Sequence, residues 1–238
     1  MSYNLTNTQV LVIGGSSGIG LATAVAAAEA GASVTIASRS KVKLDAALGC
    51  IRGSGRAVVL DTRDQSALEH FFMLEGPWDH VVVSAAQTPT GPVRTLGLAD
   101  AHAAMESKFW GAYRVSRAAK IRDGGSLTLI SGFLSVRPSA GAVLQGAINA
   151  ALEALARGLA LELAPVRVNA VSPGLIATPL WSGMAEEKRA AMFAGAAASL
   201  PARRVGQPED VANAVLFLAT TPFATGSTVR VDGGGAIA

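Results

Sequence analysis

The chain has 238 residues, of which 50% are hydrophobic and 16% charged, and its mean hydropathy is +0.38. That is too apolar and too weakly charged for a disordered chain. Lys and Arg number 20 against 17 Asp and Glu, a surplus of +3. The basic residues are scattered, which excludes the charged track that a nucleic-acid backbone needs.

One cysteine, Cys50, excludes a disulfide framework and a CxxC metal or redox site, and three histidines suggest no metal cluster. A reducing cytoplasm is the expected compartment. Residues 1–9 carry no basic leader, and the apolar run Val10–Ile13 is too short for a signal peptide. No stretch supplies the ~20 apolar residues of a membrane span.

Short β-branched runs alternate with longer Ala- and Leu-rich ones. Val10–Ile13 predicts a buried strand, and Ile19–Ala30 a helix that Gly31 can close. Ser33–Ala37 follows as a strand and Lys41–Leu48 as a short helix. Ala57–Leu60 is a third strand, and Asp64–Leu74 a helix opened by its aspartate. His80–Ser84 and Ser126–Ser131 predict strands around one long helix, Leu98–Lys120. Gly141–Ala164 is a second long helix, stopped by Pro165, and Val166–Val171 the next strand. Glu186–Ala198 and Glu209–Ala219 are helical, and Thr228–Val231 is a last strand. Continuously apolar strands alternating with helices predict an α/β fold. Its expected form is a Rossmann-like, doubly wound parallel sheet of about seven strands with helices on both faces. No linker or repeat interrupts the pattern, so one dinucleotide-binding domain is expected over 1–238.

Directly after the first strand comes Gly14-Gly15-Ser16-Ser17-Gly18-Ile19-Gly20, opening a helix. Gly14 permits the tight turn, Gly18 lets a pyrophosphate approach the helix N-terminus, and Gly20 lets helix and strand pack closely. The spacing is GxxxGxG. The second strand ends at Ala37-Ser38-Arg39-Ser40 with no acid to hold the ribose hydroxyls. Ser38 and Arg39 suit a 2′-phosphate instead, which predicts NADP(H) over NAD(H).

From here the chain resembles the short-chain dehydrogenase/reductase family along nearly its whole length. Gly14–Gly20 is similar to that family's TGxxxGIG, with Ile13 in place of threonine. Asp61-Thr62 looks like its adenine-contacting segment, and Pro173-Gly174 with Ile176 and Thr178 like the motif that cups the nicotinamide. Arg204-Val205-Gly206-Gln207-Pro208-Glu209-Asp210, then Thr225-Gly226 and Val231-Asp232-Gly233-Gly234, match its C-terminal signature. The resemblance implies a hydride-transferring enzyme.

The catalytic positions depart from the pattern. The family's NNAG falls on Val83-Ser84-Ala85-Ala86, which implies a cofactor contact for Ser84, Ala85 and Ala86 without either asparagine. Its serine falls on Gly132, with Ser131 one residue early and so on the opposite face of the strand. Its YxxxK falls on Gln145 and Asn149, and its helix asparagine on Lys108. Tyr3 and Tyr113 are the only tyrosines. An amide cannot exchange a proton near neutral pH, although it can polarise a carbonyl. Lys108 is the leading replacement acid and Ser131 the next. The alternatives are a bridging lysine and a hydroxyl turned into the core.

Between Pro179 and Pro201, Leu180, Trp181, Met184 and Phe193 surround the hinge-like Gly183. The resemblance makes this a lid over a small, hydrophobic carbonyl or alcohol substrate. The helix from Gln145 to Leu163 is apolar nearly all round, which predicts contact with a second subunit, and the resemblance implies a homotetramer, or failing that a dimer. Three readings remain open: an NADP(H)-dependent oxidoreductase with an atypical site, an NADP(H)-binding protein without redox turnover that acts as sensor or structural partner, and a non-redox enzyme on the same scaffold.

Overall fold

The computed structural model describes residues 3–53 and 55–238. Seven strands form one parallel sheet: β1 (Gln9–Ile13), β2 (Ser33–Ser38), β3 (Gly55–Val59), β4 (Trp78–Val83), β5 (Ile121–Ile130), β6 (Arg167–Pro173) and β7 (Thr228–Val231). Their spatial order is β3-β2-β1-β4-β5-β6-β7. The chain therefore winds one way from β1 to β3 and the other way from β4 to β7. In such a sheet the crevice for a ligand opens at the carboxyl ends of β1 and β4, where the direction reverses.

Alternation along each strand divides the core. Val10 and Val12 of β1 face a layer made with Ala24 and Ala27 of α1 (Gly18–Glu29), Leu44 of α2 (Lys41–Leu48) and Val211 and Val215 of α8 (Pro208–Thr220). Leu11 and Ile13 face the other layer. It holds Leu68 and Phe72 of α3 (Gln65–Leu74), Val115 of α5 (Gly111–Ala118) and Leu152 and Ala156 of α6 (Val143–Glu162). A strand covered on both faces must be apolar at successive positions, which is why β1 reads as an unbroken hydrophobic run.

Local chemistry sets the boundaries. Asp64 precedes α3 and its carboxylate accepts from the amide of Ala67, the expected N-cap role. Gly31, at φ +95°, turns the chain out of α1. Three expectations change. The long helix expected from Leu98 is α4 (Leu98–Met105), a π-helical turn over Glu106–Trp110, and then α5, ending at Ala118. Strand β5 begins five residues earlier than its apolar core, at Ile121. The segment expected to be a lid holds a 3-10 turn, Pro179–Trp181, and α7 (Glu186–Ser199), none of whose residues is buried. Leu180 stands 74% exposed rather than lining a pocket. Among the described residues no helix is long and apolar enough to cross a membrane.

Candidate functional site

The glycine turn lies at the crevice. Gly14 has φ +89°, and a Cβ there would come within 2.5 Å of the Ala85 amide nitrogen, just beyond β4. A Cβ on Gly20 would collide with the carbonyl oxygen of Gly14, and one on Gly15 would lie 2.7 Å from Ile36. The turn thus has no room for side chains at these positions. Ser17 precedes α1 without a side-chain cap, and no acid occupies the first turn of the helix. The amides of that turn therefore keep their attraction for an anion. Thr178 returns from β6 to face Gly18, 3.4 Å from where its Cβ would be. Pro173 ends β6, the Gly174 amide donates to Val231 O at 2.9 Å, and Ile176 is buried against Gly206. The structure therefore brings three distant motifs together: the glycine loop, the Ser84-Ala85-Ala86 segment and the Pro173–Thr178 segment.

At the end of β2, the hydroxyl of Ser38 is buried with no hydrogen-bond partner among the described residues. Arg39 donates to Gln87 Oε1 at 3.0 Å, and the Gln87 amide donates to Ser107 Oγ at 2.8 Å. Asp61 is paired with Arg63 at 2.7 Å. The bonded Arg63 guanidinium, with help from Arg39, holds its carboxyl below the usual range. Thr62 is buried against Gly111, whose absent Cβ would lie 2.8 Å from Thr62 Oγ1. A cradle that a Cβ would fill and an orphaned serine hydroxyl fit an anionic dinucleotide.

The π-helical turn carries Lys108, which is buried at 8% exposure. Its ammonium donates to the Ser131 carbonyl oxygen at 2.8 Å and to Asn149 Oδ1 at 2.7 Å. Because an ammonium only donates, the oxygen of Asn149 must face it. The amide nitrogen then lies over Gly132, 2.7 Å from where a Cβ would be. Burial pushes Lys108 down from its usual 10.5 to about 8, with Glu153 opposing the shift. Gln145, one turn before Asn149 on α6, has a buried amide oxygen without a partner among the described residues.

Ser131 enters this cluster through its carbonyl. Its hydroxyl points inward, donating at 2.9 Å to Glu153 Oε1 and lying 3.2 Å from Val171 O. That is the face expected from its one-residue offset relative to Gly132. Sequence reasoning passed over Glu153 and Gln87. Glu153 had a signal: it is an acid four residues after Asn149 on a helix with few charges, and therefore on the same face. Gln87 had none, because its contact spans 48 residues.

A family model described as enoyl-(acyl carrier protein) reductase matches residues 14–235. The short-chain dehydrogenase/reductase ATR9 of Stachybotrys chlorohalonatus is 37% identical, covering 95% of this chain and 96% of its own. A solved small-chain dehydrogenase in complex with NADPH is 34% identical with a TM-score of 0.81, over 97% of this chain and 99% of that one. An NADPH-bound short-chain oxidoreductase from Pseudomonas aeruginosa, described as containing an atypical catalytic center, is 30% identical with a TM-score of 0.91, over 98% of both chains. With the glycine turn, the sheet order and the C-terminal signature in place, the chain is a member of the short-chain dehydrogenase/reductase family of oxidoreductases.

Proposed function

We propose that the protein is an NADP(H)-dependent oxidoreductase that interconverts a small hydrophobic carbonyl compound and its alcohol, with Lys108 as the acid–base group. The observation that carries this reading is the buried Lys108 ammonium, held by Asn149 and the Ser131 carbonyl beside Gly132. The family resemblance puts the serine and lysine of its catalytic set at Gly132 and Asn149.

Gly14, Ser16, Ser17, Gly18, Ile19 and Gly20 would hold the pyrophosphate. Ser38 and Arg39 would hold the 2′-phosphate, with Asp61 and Thr62 at the adenine. Ser84, Ala85, Ala86, Pro173, Gly174, Ile176 and Thr178 would line the path to the nicotinamide. When bound, NADPH supplies a hydride. Lys108 supplies the proton that turns the reduced carbonyl oxygen into a hydroxyl, and solvent restores that proton. Two of the three ammonium donors are occupied, which leaves one for the substrate oxygen. Its pKa of about 8 suits an acid near neutral pH. Gln145 and Asn149 polarise the carbonyl through their amide N–H groups and move no proton. NADP use is supported by the two NADPH-bound relatives and by the absence of an acid after β2. Val143 and Leu161 on α6, 50% and 84% exposed, with Trp110 on the π-helical turn and Tyr113 on α5, would meet second copies of the chain in a homotetramer.

Fluorescence titration with NADPH and NADH, followed by a panel of ketones and aldehydes, tests the reading. Tighter NADPH binding with turnover of at least one ketone is expected. Tight binding with no turnover across the panel would favour the cofactor-binding alternative. No binding of either nucleotide would remove the basis of both.

A further inference from the structure

Lys108 and Glu153 are opposite charges buried without direct contact, and one residue joins them. Ser131 receives the ammonium on its carbonyl oxygen and gives its hydroxyl to the carboxylate at 2.9 Å. Ser135, from the turn after β5, donates to the same Glu153 oxygen at 2.7 Å. Glu153 is 8% exposed, and it lies one helical turn beyond Asn149, the other group that Lys108 touches. Isolated buried charges are costly unless compensated. Here each charge is bonded only to neutral groups, so each depends on the field of the other.

We propose that Glu153 is a positioning residue for the acid–base group, keeping the Lys108 ammonium charged in its buried site and fixing the Ser131 peptide that orients it. This rests on the reading of Lys108 as the proton donor. Other charges do not serve. Glu106, on the same π-helical turn, is paired with Arg114. Arg137, after the turn at Ser135, is exposed, as are Arg157 and Glu162 on α6. Asp79 and Arg122 pair with each other at the opposite end of the sheet, and His80 is bonded to Ser126 there. Consistent with this, Glu153 is the group that opposes the downward push of burial on Lys108.

The chain has five lysines, so the 13Cε signal of Lys108 can be assigned by its loss in Lys108→Met and followed through a pH titration without any ligand. Glu153→Gln keeps the shape and removes the charge. The Lys108 midpoint is expected to fall by about one pH unit, the scale on which a nearby unlike charge acts. The alkaline fall of acetophenone reduction should move down with it. An unchanged midpoint in folded Glu153→Gln overturns the inference and leaves the role of Lys108 standing. Should that variant fail to fold, Glu153→Gln is made in the Lys108→Met background. A double variant that folds supports the coupling, because the charge that Glu153 compensates is gone, and one that still fails to fold overturns it. Retention of acetophenone turnover by Lys108→Met instead defeats the functional reading, while the titration still decides the coupling.

Discussion

Replacing Lys108 by methionine keeps the length and apolar bulk of the stem and removes the ammonium. Two effects on stability oppose each other. Burial lowers the lysine from 10.5 to about 8, a penalty of ~3 kcal/mol at ~1.4 kcal/mol per unit. Methionine relieves that penalty, but it strips a donor from Ser131 O and Asn149 Oδ1, at ~1–3 kcal/mol for each buried acceptor. The net change should stay within ~3 kcal/mol of zero. Loss of the proton donor, by contrast, should lower kcat/KM by about 10²–10⁴, equivalent to ~3–5 kcal/mol in the barrier. Steady-state NADPH oxidation with a responsive ketone reads the rate, and urea unfolding reads the stability. Below pH 8 the unmodified enzyme should hold a plateau, and above it the rate should fall about tenfold per unit as the lysine loses its proton. Between pH 8 and 10.5 the unfolded chain retains a lysine proton that the native chain has released, so this group makes stability rise with pH. The methionine variant should lose that contribution. A variant within tenfold of the parent rate, with the alkaline fall intact, would refute the assignment.

Three further outcomes follow from the geometry. Arg39→Asp should move the NADPH-to-NADH affinity ratio toward NADH by about 10–100-fold, the worth of one charge-assisted contact to phosphate. Binding titrations check this, and an unchanged ratio would place the 2′-phosphate elsewhere. Gly132→Ser alone should not create a working serine, because its Cβ meets the Asn149 amide at 2.7 Å and forces that side chain off Lys108. Combined with Gln145→Tyr and Asn149→Lys, it should give reductase activity that survives Lys108→Met, and the ketone panel compares the two. His80 is buried against Ser126 and pushed down to about 4 by burial, with Arg167 adding to the effect. Its contribution to stability is complete above pH 6.5 and is lost as pH falls through about 4, on the order of 3 kcal/mol. A urea-unfolding series in which His80→Gln shows the same acid loss as the parent would contradict this.

The layers were legible because burial on both faces of a parallel sheet leaves a direct mark. Val81–Val83 and Val10–Ile13 are apolar at every position and could be placed without further help. The glycine turn was legible because each glycine answers a steric demand, as the collision of a Gly20 Cβ with Gly14 O makes plain. Lys108 was singled out from the family register, but the buried acid behind it was not. Glu153 reads as a solvated charge until Ser131 and Ser135 are seen to converge on it from another strand and turn. The π-helical turn also left no mark. Hydrophobic spacing in Glu106–Trp110 is compatible with an ordinary helix. The exposure of Leu180 was missed for a related reason, since residue type alone cannot tell a pocket wall from a surface.

That π-helical turn gives the lysine's direction an unusual dependence on chain length. A π turn accommodates one more residue than an α turn without disturbing the helices on either side. Excising a single residue such as Ser107 would let α4 and α5 fuse into a regular coil, with their outward and inward faces still aligned at both ends. Lys108 would turn by up to about 100°, one residue's rotation, away from Asn149, and the Ser107 hydroxyl that receives the Gln87 amide would be lost with it.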